Sequence, residues 1–597
     1  RLIDSRVEHQ FLRNQAVSLA DTLLQTRFNF AFQESQNQNL DELRILIQDQ
    51  VQYFVDILAN YQAEDIGITP LESAESVVQK TRMTLGSPSI NDIYARIQRE
   101  SVLETEPLTL SSVIGNRAMD YFLQDAEILG FFTQEGWENY VVDKIQEVSQ
   151  TPDQDDWVLA VDAAQLPEEL RDQETMERNL LEIYFAEYVD AWWNFIRRIE
   201  FRRFADMNTA VRGLNLFGDF GDSPIQKILE TVSAQTQFES GIERGARGLA
   251  ARVGLQGDQH IVDREFRSIH NLVENENGEL NTLLGQYEVL GAVLDGLAKE
   301  EPAATVKYAG ATIQQRTGDL PTAMREIQNT VRGIDSRTQD ALFLQPVTLA
   351  WQNILGRAQY SLNQTWSDQV HSTFTASLAP HYPFNPNSTS EAPVADLVGF
   401  FHPSEGVFWS YLQNELGQFV RDDSYNVNTW AGYGIGISNA TRQAIQKVRE
   451  ISRGLGLQSQ GNLAIQFSVL PDLPTPAGIV EQITLSVDGT SFPYRMGRPQ
   501  WTEFNWPGFG NDVGSYLEIR TKQGSYEPMY FDSQWGFFKL LDNATIQETS
   551  PSHYDVYWTF NGSGPAIRVN YKLRASSIYN PFGEDDFFNL TLPERLN

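Results

Sequence analysis

The sequence predicts an α+β multidomain fold, with an elongated, mostly helical N-terminal part followed by a C-terminal all-β domain of sandwich-like form. Apolar residues recur at offsets of three and four before about residue 460, and they alternate with polar residues after it. Two-residue turn signals such as Asp488-Gly489 separate the alternating runs. Because the helices precede the strands instead of alternating with them, the sequence favours segregated domains over an α/β sheet.

The length of 597 residues allows about four domains. We place an N-terminal helical domain at 1–215, a central helical domain at 216–379, a connector with a short helical bundle at 380–460, and the C-terminal β-domain at 461–597. Residues 380–393 contain four prolines, which cannot continue a helix, so this segment is predicted to be extended. We expect it to allow hinge motion between the helical part and the β-domain.

The clearest helix is predicted between Asn179 and Phe204. Its apolar stripe consists of Leu181, Tyr184, Phe185, Tyr188, Trp192, Phe195 and Ile199. In the loop that follows, Ser223 is suited to cap a helix and Pro224 to occupy its first turn. Similar spacing predicts further helices at about 12–24, 40–57, 108–130, 133–150, 223–236, 258–275, 280–300, 320–378, 404–421 and 437–454.

Alternation typical of strands fills most of residues 461–597. The clearest pair is 554–560 and 567–573, separated by an Asn-Gly-Ser-Gly turn at 561–564. Other short runs predict strands near 464–470, 483–487, 491–496, 513–520, 525–531 and 535–541. About eight strands of this length are enough for a two-sheet domain.

Charge and composition exclude several classes of protein. Seventy-nine acidic against 45 basic residues give a net charge of −34, so phosphate backbones and anionic lipids are poor partners. The chain has no cysteine, which removes disulfides, thiolate metal sites and cysteine nucleophiles. No apolar run is long enough to predict a membrane span, and the start at Arg1 without methionine indicates a piece of a longer protein.

The sequence contains no strong motif for catalysis or for cofactor binding. The phosphate-loop, HExxH and GxSxG patterns are absent, and the glycines at 432–436 follow a polar stretch instead of a buried strand. We therefore predict no enzyme, no cofactor and no metal. A glycan hydrolase or glycan-binding protein stays open, because carboxylate pairs form in space and a sugar platform can be built from Trp501, Trp506, Trp535 and Trp558.

Several motifs occur in a particular order along the chain. The first are Gly130-Phe131-Phe132-Thr133-Gln134-Glu135-Gly136-Trp137 and the helical series Tyr184, Tyr188 and Trp192. The most distinctive group is Tyr382-Pro383-Phe384, Asp396, Phe400, Phe401, Pro403 and Gly406. The last group comprises Asp488-Gly489, Tyr494, Trp506-Pro507-Gly508, Trp535 and Leu540-Leu541. This order, from about residue 105 to the end, resembles that of the TssM/IcmF family of type VI secretion.

The resemblance implies the periplasmic region of a protein anchored in the inner membrane, acting as a scaffold of a type VI secretion trans-envelope complex. Its implied partners are the outer-membrane lipoprotein TssJ, the inner-membrane protein TssL, and further copies of itself in a ring around the needle path. A related IcmF branch accompanies a type IV secretion apparatus, and the sequence does not separate the two. No contact residue can be carried over from the family.

The residues themselves suggest where a partner binds. Long helices suit a strut, since each residue adds about 1.5 Å of length, and loops on a β-domain suit recognition. We predict partner contacts at Tyr494, Trp506 and Phe509, because aromatic anchors often dominate binding energy. The alternative is that these three side chains fill the core of their own domain.

Overall fold

The computed structural model describes residues 89–150, 172–238, 259–421, 425–457, 463–509, 512–583 and 586–597, with a few isolated positions besides. The chain divides into two compact units, one of residues 1–93 and 148–176 and the other of residues 94–147 and 177–597. The contacts that position the β-domain and its loop lie within the second unit. The helix predicted at 12–24, and nearly all of that at 40–57, lie outside the described residues; the domain boundaries remain a prediction.

Helices dominate the described part before residue 460. They comprise Ile90–Ser101, Leu110–Ile114, Asn116–Met119, Val142–Gln150, Gln173–Arg197, Met207–Gly218, Pro224–Thr236, Ile261–Glu274, Glu279–Lys299, Pro302–Gln315, Asp319–Thr330, Gln345–Thr365, Ser372–Ser377, Val394–Phe401, Val407–Tyr411 and Asn439–Gly454. Short turns extend them at Gly130–Phe132, Gln134–Gly136, Trp137–Val141, Ser336–Thr338, Gln339–Leu344, Trp366–His371, Leu412–Leu416 and Gly417–Phe419. The predictions at 133–150, 223–236, 258–275, 280–300 and 437–454 are confirmed.

The aromatic stripe of the helix Gln173–Arg197 is buried, as its spacing predicts. Two of its side chains also donate hydrogen bonds across the core. The Tyr184 hydroxyl donates to the carbonyl oxygen of Phe131 at 3.0 Å, and the Trp192 indole N–H donates to that of Phe132 at 2.9 Å. The stripe therefore fixes a turn of the backbone, because buried carbonyl groups need a partner.

The prediction of a helix at 108–130 is wrong. This segment contains two short helices and the paired strands β1 (Leu108–Thr109) and β2 (Glu127–Ile128). Gly115 follows the first helix with φ of 83°, a left-handed conformation that ends the helix. The helix Pro302–Gln315 was not predicted, because its Ala, Thr and Gly residues give few large apolar side chains to count.

The C-terminal part is an antiparallel two-sheet domain, which confirms the predicted α+β class. Two-residue pairs precede it: β3 (Leu255–Gln256) with β4 (Gln259–His260), and β5 (Val420–Arg421) with β6 (Asn426–Val427). The domain's strands are β7 (Ile465–Pro471), β8 (Val480–Val487), β9 (Thr490–Tyr494), β10 (Thr502–Trp506), β11 (Ser515–Thr521), β12 (Met529–Phe531), β13 (Thr545–Ser550), β14 (His553–Phe560) and β15 (Ile567–Ala575). The sheet orders are β10-β7-β15-β14-β13 and β12-β11-β8-β9.

The segment 535–541, predicted as a strand, forms most of the helix Gly536–Asp542. Phe537 stacks on Phe467 of β7, with ring centroids 4.6 Å apart. The backbone of Gly536 lies against that of Ser515 at the start of β11, where there is no room for a side chain. The helix thus contacts both sheets and buries apolar residues on most of its surface, a pattern that periodicity cannot distinguish from a buried strand.

The proline-rich segment 380–393 lies against the helix Gly536–Asp542 of the β-domain. The Trp535 indole N–H donates to the carbonyl oxygen of Ala392 at 2.7 Å. The Tyr382 hydroxyl donates to a carboxylate oxygen of Asp542, also at 2.7 Å. The prediction of an extended segment is wrong, because the segment closes on itself: the Tyr382 N–H donates to the carbonyl oxygen of Ser390 at 2.9 Å, and the Ala392 N–H donates to that of Tyr382 at 2.8 Å. The closed loop is held by specific hydrogen bonds to the domain that follows it.

A second connection is made by residues 586–597, which run from the β-domain back to the helices. The Trp366 indole N–H donates to the carbonyl oxygen of Pro593 at 2.8 Å. The hydroxyl of Thr441 donates to the carbonyl oxygen of Leu596 at 2.8 Å, and the Leu596 side chain is fully buried. Two chain segments, far apart in sequence, therefore join the same two parts of the molecule.

Candidate partner-binding site

The loop between β10 and β11 carries Phe509, one of the predicted partner contacts. A carboxylate oxygen of Asp488 accepts the backbone N–H of Gly508 at 3.0 Å, and the other accepts that of Gly514 at 3.1 Å. The N–H of Asp488 donates in turn to the carbonyl oxygen of Gly514 at 2.9 Å. One side chain therefore holds both ends of the loop, since Gly508 and Gly514 flank its exposed tip.

The position of Asp488 follows from the turn between β8 and β9. Asp488 and Gly489 have φ angles of 42° and 83°, so both turn residues are left-handed. That geometry matches the twist of a two-residue hairpin, and the predicted Asp-Gly turn is confirmed. Burial raises the pKa of the Asp488 carboxyl above its ordinary value, and the two backbone donors oppose that change.

The tip of the loop presents apolar surface to solvent. The Phe509 side chain is 86% exposed, and Val513 near the other end of the loop is 48% exposed. Tyr530, on the edge strand β12, is also exposed, and its ring centroid lies 6.2 Å from that of Tyr516. Exposed large apolar side chains of this kind suit contact with a protein partner.

Two of the three predicted contact residues do not reach the surface, which corrects that expectation in favour of the alternative. Trp506 is fully buried, its indole N–H donates to the carbonyl oxygen of Gln534 at 2.8 Å, and its ring lies 4.7 Å from that of Trp535. Tyr494 is also buried, and its hydroxyl donates to the carbonyl oxygen of Gly497 at 2.9 Å. Both aromatics fill the domain core because each finds a backbone acceptor there.

The tryptophans proposed for a sugar platform do not form one. Trp506, Trp535 and Trp558 are all buried. Trp501 is 39% exposed, but the guanidinium of Arg574 lies over its ring, 4.7 Å from the centroid. A sugar needs an open aromatic face, and the one partly exposed ring of the four already carries a cation.

Two findings concern only the residues that the structure describes. Among them, no cluster of three or more histidine, aspartate and glutamate side chains is arranged to hold a metal ion. None of the helices in the described ranges combines the length and the hydropathy that crossing a membrane requires.

Comparison with protein families gives three matches in chain order. A model described as IcmF-related, "Intracellular multiplication and human macrophage-killing", matches residues 5–237. The helical domain of the type VI secretion protein IcmF matches residues 357–461, and the C2-like domain of the same protein matches residues 467–577. Together the matches cover about three quarters of the chain.

Individual relatives agree with these matches. A protein of Pseudomonas aeruginosa, "Type VI secretion system component TssM1", is 24% identical over 556 residues, which are 85% of this chain and 48% of the relative. The chain thus spans about half the length of that relative. Among solved structures, a "Type VI secretion system membrane core complex" chain has a TM-score of 0.64 at 22% identity, covering 86% of this chain and 99% of that one. A "Type VI membrane complex" chain has a TM-score of 0.57 at 21% identity, covering 87% and 94%.

The fold is that of a helical chain that carries a two-sheet β-domain, with an exposed loop held at both of its ends. The chain belongs to the TssM/IcmF family of type VI secretion proteins.

Proposed function

We propose that this chain is the periplasmic scaffold region of a type VI secretion trans-envelope complex. In this proposal it links the inner membrane to an outer-membrane lipoprotein of the TssJ type, meets an inner-membrane partner of the TssL type, and assembles in several copies around the needle path. Its role is mechanical and non-enzymatic. Family membership supports this role, and the same family leaves the type IV branch as the alternative.

One structural observation carries the proposal: the β-domain is joined to the helices by two separate segments. Residues 380–393 are tied down by Trp535, and residues 586–597 are tied down by Trp366 and Thr441. A scaffold that links two membranes must transmit displacement from one end to the other. A β-domain attached by a single flexible linker would lose that displacement in the linker.

We further propose that the lipoprotein binds the loop between β10 and β11, with Phe509 as its central contact. Of the three aromatic residues predicted from the sequence, Phe509 is the one whose side chain is available at the surface. Asp488 fixes the loop at Gly508 and Gly514, so these two ends lose little conformational entropy when a partner binds.

The test is co-purification of the 597-residue chain with the outer-membrane lipoprotein of the same secretion system. Replacing Phe509 by alanine is expected to weaken binding by about tenfold or more, because the complex loses an aromatic side chain that the partner would bury. The matched control is Phe220→Ala, which removes a 58%-exposed phenylalanine from the helical part and is expected to leave binding unchanged. Full binding by the Phe509 variant would reject the contact, and absence of binding by the unaltered chain would reject the linking role.

A glycan hydrolase or glycan-binding protein is the competing proposal. The burial of three candidate tryptophans and the Arg574 stack on the fourth argue against it. Retention of the chain on a peptidoglycan column, with release of soluble fragments on incubation, would favour it over the scaffold role.

A further inference from the structure

A cavity in the helical part is lined by apolar side chains and by two arginines. It has a volume of about 680 Å³, within the range of roughly 300–1,000 Å³ that is typical of ligand sites. One wall is the helix Gln345–Thr365, and the opposite wall is the stretch 203–208, which enters the helix Met207–Gly218. Ala298, near the end of the helix Glu279–Lys299, closes one side.

The floor of the cavity is apolar and open above. Phe204, Met207 and Leu349 line it, and all three side chains are buried. Gly356 lies in the same wall, is exposed, and has no atom of another segment within 4 Å of the position that a Cβ would take. A glycine inside a helix lowers helix stability by about 1 kcal/mol relative to alanine. Gly356 therefore does not stabilise its helix, but its missing side chain leaves the cavity open at this point.

The charged lining residues are two arginines and one aspartate. The Asp206 carboxylate is already used, because it caps the helix Met207–Gly218 by accepting the N–H of Thr209 at 2.7 Å. Arg203 is exposed, and no ion pair of its guanidinium is found within the described residues. In a chain with a net charge of −34, an unpaired cation at the mouth of a cavity is an unusual feature.

Arg357 gives the second sign that the cavity is built for an anion. Its terminal nitrogen donates to the backbone carbonyl oxygen of Glu300 at 2.6 Å, which fixes the direction of the side chain. A guanidinium that donates to a carbonyl group keeps its positive charge, and a carboxylate is the anion whose planar geometry suits it best.

We propose that this cavity binds a peptide that presents a carboxylate beside an apolar side chain. The arginines Arg203 and Arg357 bind the carboxylate, and the apolar side chain lies on Phe204, Met207 and Leu349. The exposed ring of Tyr360 at the rim provides a further stacking surface. The proposal does not depend on the scaffold role or on the Phe509 loop, because it concerns a different part of the chain.

The test is fluorine NMR titration of the 597-residue chain with three probes. N-acetyl-p-fluorophenylalanine carries the carboxylate at its end, N-acetyl-aspartyl-p-fluorophenylalanine amide carries it in a side chain, and N-acetyl-p-fluorophenylalanine amide carries none. We expect one or both charged probes to bind with a Kd on the order of 1 mM, as suits a fragment of this size, and the neutral amide to bind at least about tenfold more weakly. The stronger of the charged probes identifies the source of the carboxylate.

Two variants locate the binding site without disturbing the core. Gly356→Leu fills the opening while improving helix propensity, and we expect it to abolish binding; Gly285→Leu, also in a helix with open space around it, is the matched control. Arg203→Gln removes the exposed charge, and we expect binding to weaken about fivefold or more. Equal binding of all three probes, or binding that survives both Gly356→Leu and Arg203→Gln, would overturn the proposal, as would no binding at all.

Discussion

The carbonyl oxygen of Gly130 occupies the space where a Cβ on Gly136 would stand. The two glycines lie on either side of a backbone turn. Tyr184 and Trp192 donate hydrogen bonds to carbonyl oxygens of residues within this turn. Thr133 completes the turn, because its hydroxyl donates to the Gly130 carbonyl oxygen at 2.7 Å and accepts the N–H of Gly136 at 3.0 Å. The motif therefore forms a tightly packed turn, in which neither glycine has room for a methyl group.

Replacing Gly136 by alanine is expected to destabilise the helical part by about 2–4 kcal/mol, since the added methyl group meets backbone that cannot yield like a flexible side chain. The measurement is the urea midpoint of the intact chain, followed by far-ultraviolet circular dichroism. Gly285→Ala is the control; with open space around it, this helical change is expected to leave stability equal or slightly higher. A Gly136 variant as stable as its parent would contradict the packing account.

Changing Trp535 to phenylalanine is expected to loosen residues 380–393. The buried carbonyl group of Ala392 loses its donor, at a cost of about 1–3 kcal/mol, while most of the apolar contact is kept. Amide hydrogen exchange reports such a local opening directly, and we expect faster exchange in this segment than in the parent chain. Trp501→Phe, at a partly exposed site, serves as the comparison; identical exchange in the two variants would show that the indole bond does not hold the segment.

Asp488 offers a test of how the exposed loop is held. Asp488→Ala is expected to destabilise the β-domain by about 2 kcal/mol, because two backbone donors lose their acceptor and alanine is strained at positive φ. Asp488→Asn keeps one acceptor oxygen and tolerates the left-handed conformation, so its effect should be smaller. The measurement is the order of the two melting temperatures. An alanine variant at least as stable as the asparagine variant would contradict the account in which the Asp488 carboxylate holds the loop by hydrogen bonds.

Acid is expected to weaken the contact between the helices Pro224–Thr236 and Ile261–Glu274 through His270. Its Nε2 lies 2.8 Å from the Thr236 hydroxyl, which itself donates to the carbonyl oxygen of Val232, so the ring Nε2 is the donor to that hydroxyl. Burial lowers the pKa of His270 to about 4. Between pH 6.5 and 4 the unfolded chain binds the proton more readily than the folded one, so stability falls as the pH falls.

The measurement for His270 is the melting temperature of the parent chain and of His270→Gln across that pH range. We expect the glutamine variant to show a shallower loss of stability toward pH 4, because it has no imidazole to protonate. His553→Gln alters an exposed histidine and should keep the slope of the parent. If the parent and His270→Gln lose stability in parallel, the titration of this histidine does not contribute.

The sequence predicts most of the helical part correctly, because amphipathic spacing is preserved where a helix has one buried face. It fails where that asymmetry is lost. The segment 535–541 is apolar apart from Lys539 and becomes a helix between two sheets. The helix Pro302–Gln315 packs small residues that carry little hydropathy signal. At 108–130 a single left-handed glycine, Gly115, decides the outcome, and spacing alone does not reveal its φ angle.

The candidate site was predictable in part. Residue type and a nearby turn pointed to Trp506 and Phe509 equally, yet one is buried and the other is 86% exposed. What separates them is a tertiary contact, since the indole of Trp506 has a carbonyl partner at Gln534 and the phenyl ring of Phe509 needs none. The cavity between 203–208 and the helix Gln345–Thr365 had no sequence signal, because its walls are more than a hundred residues apart.

The two segments that join the β-domain to the helices have a consequence for how load is carried. A pull on the β-domain is divided between two tethers arranged in parallel, each pinned by a tryptophan indole bond, at Trp535 and at Trp366. Failure of either anchor leaves the other intact, so the β-domain loses these contacts with the helices only after both anchors have broken.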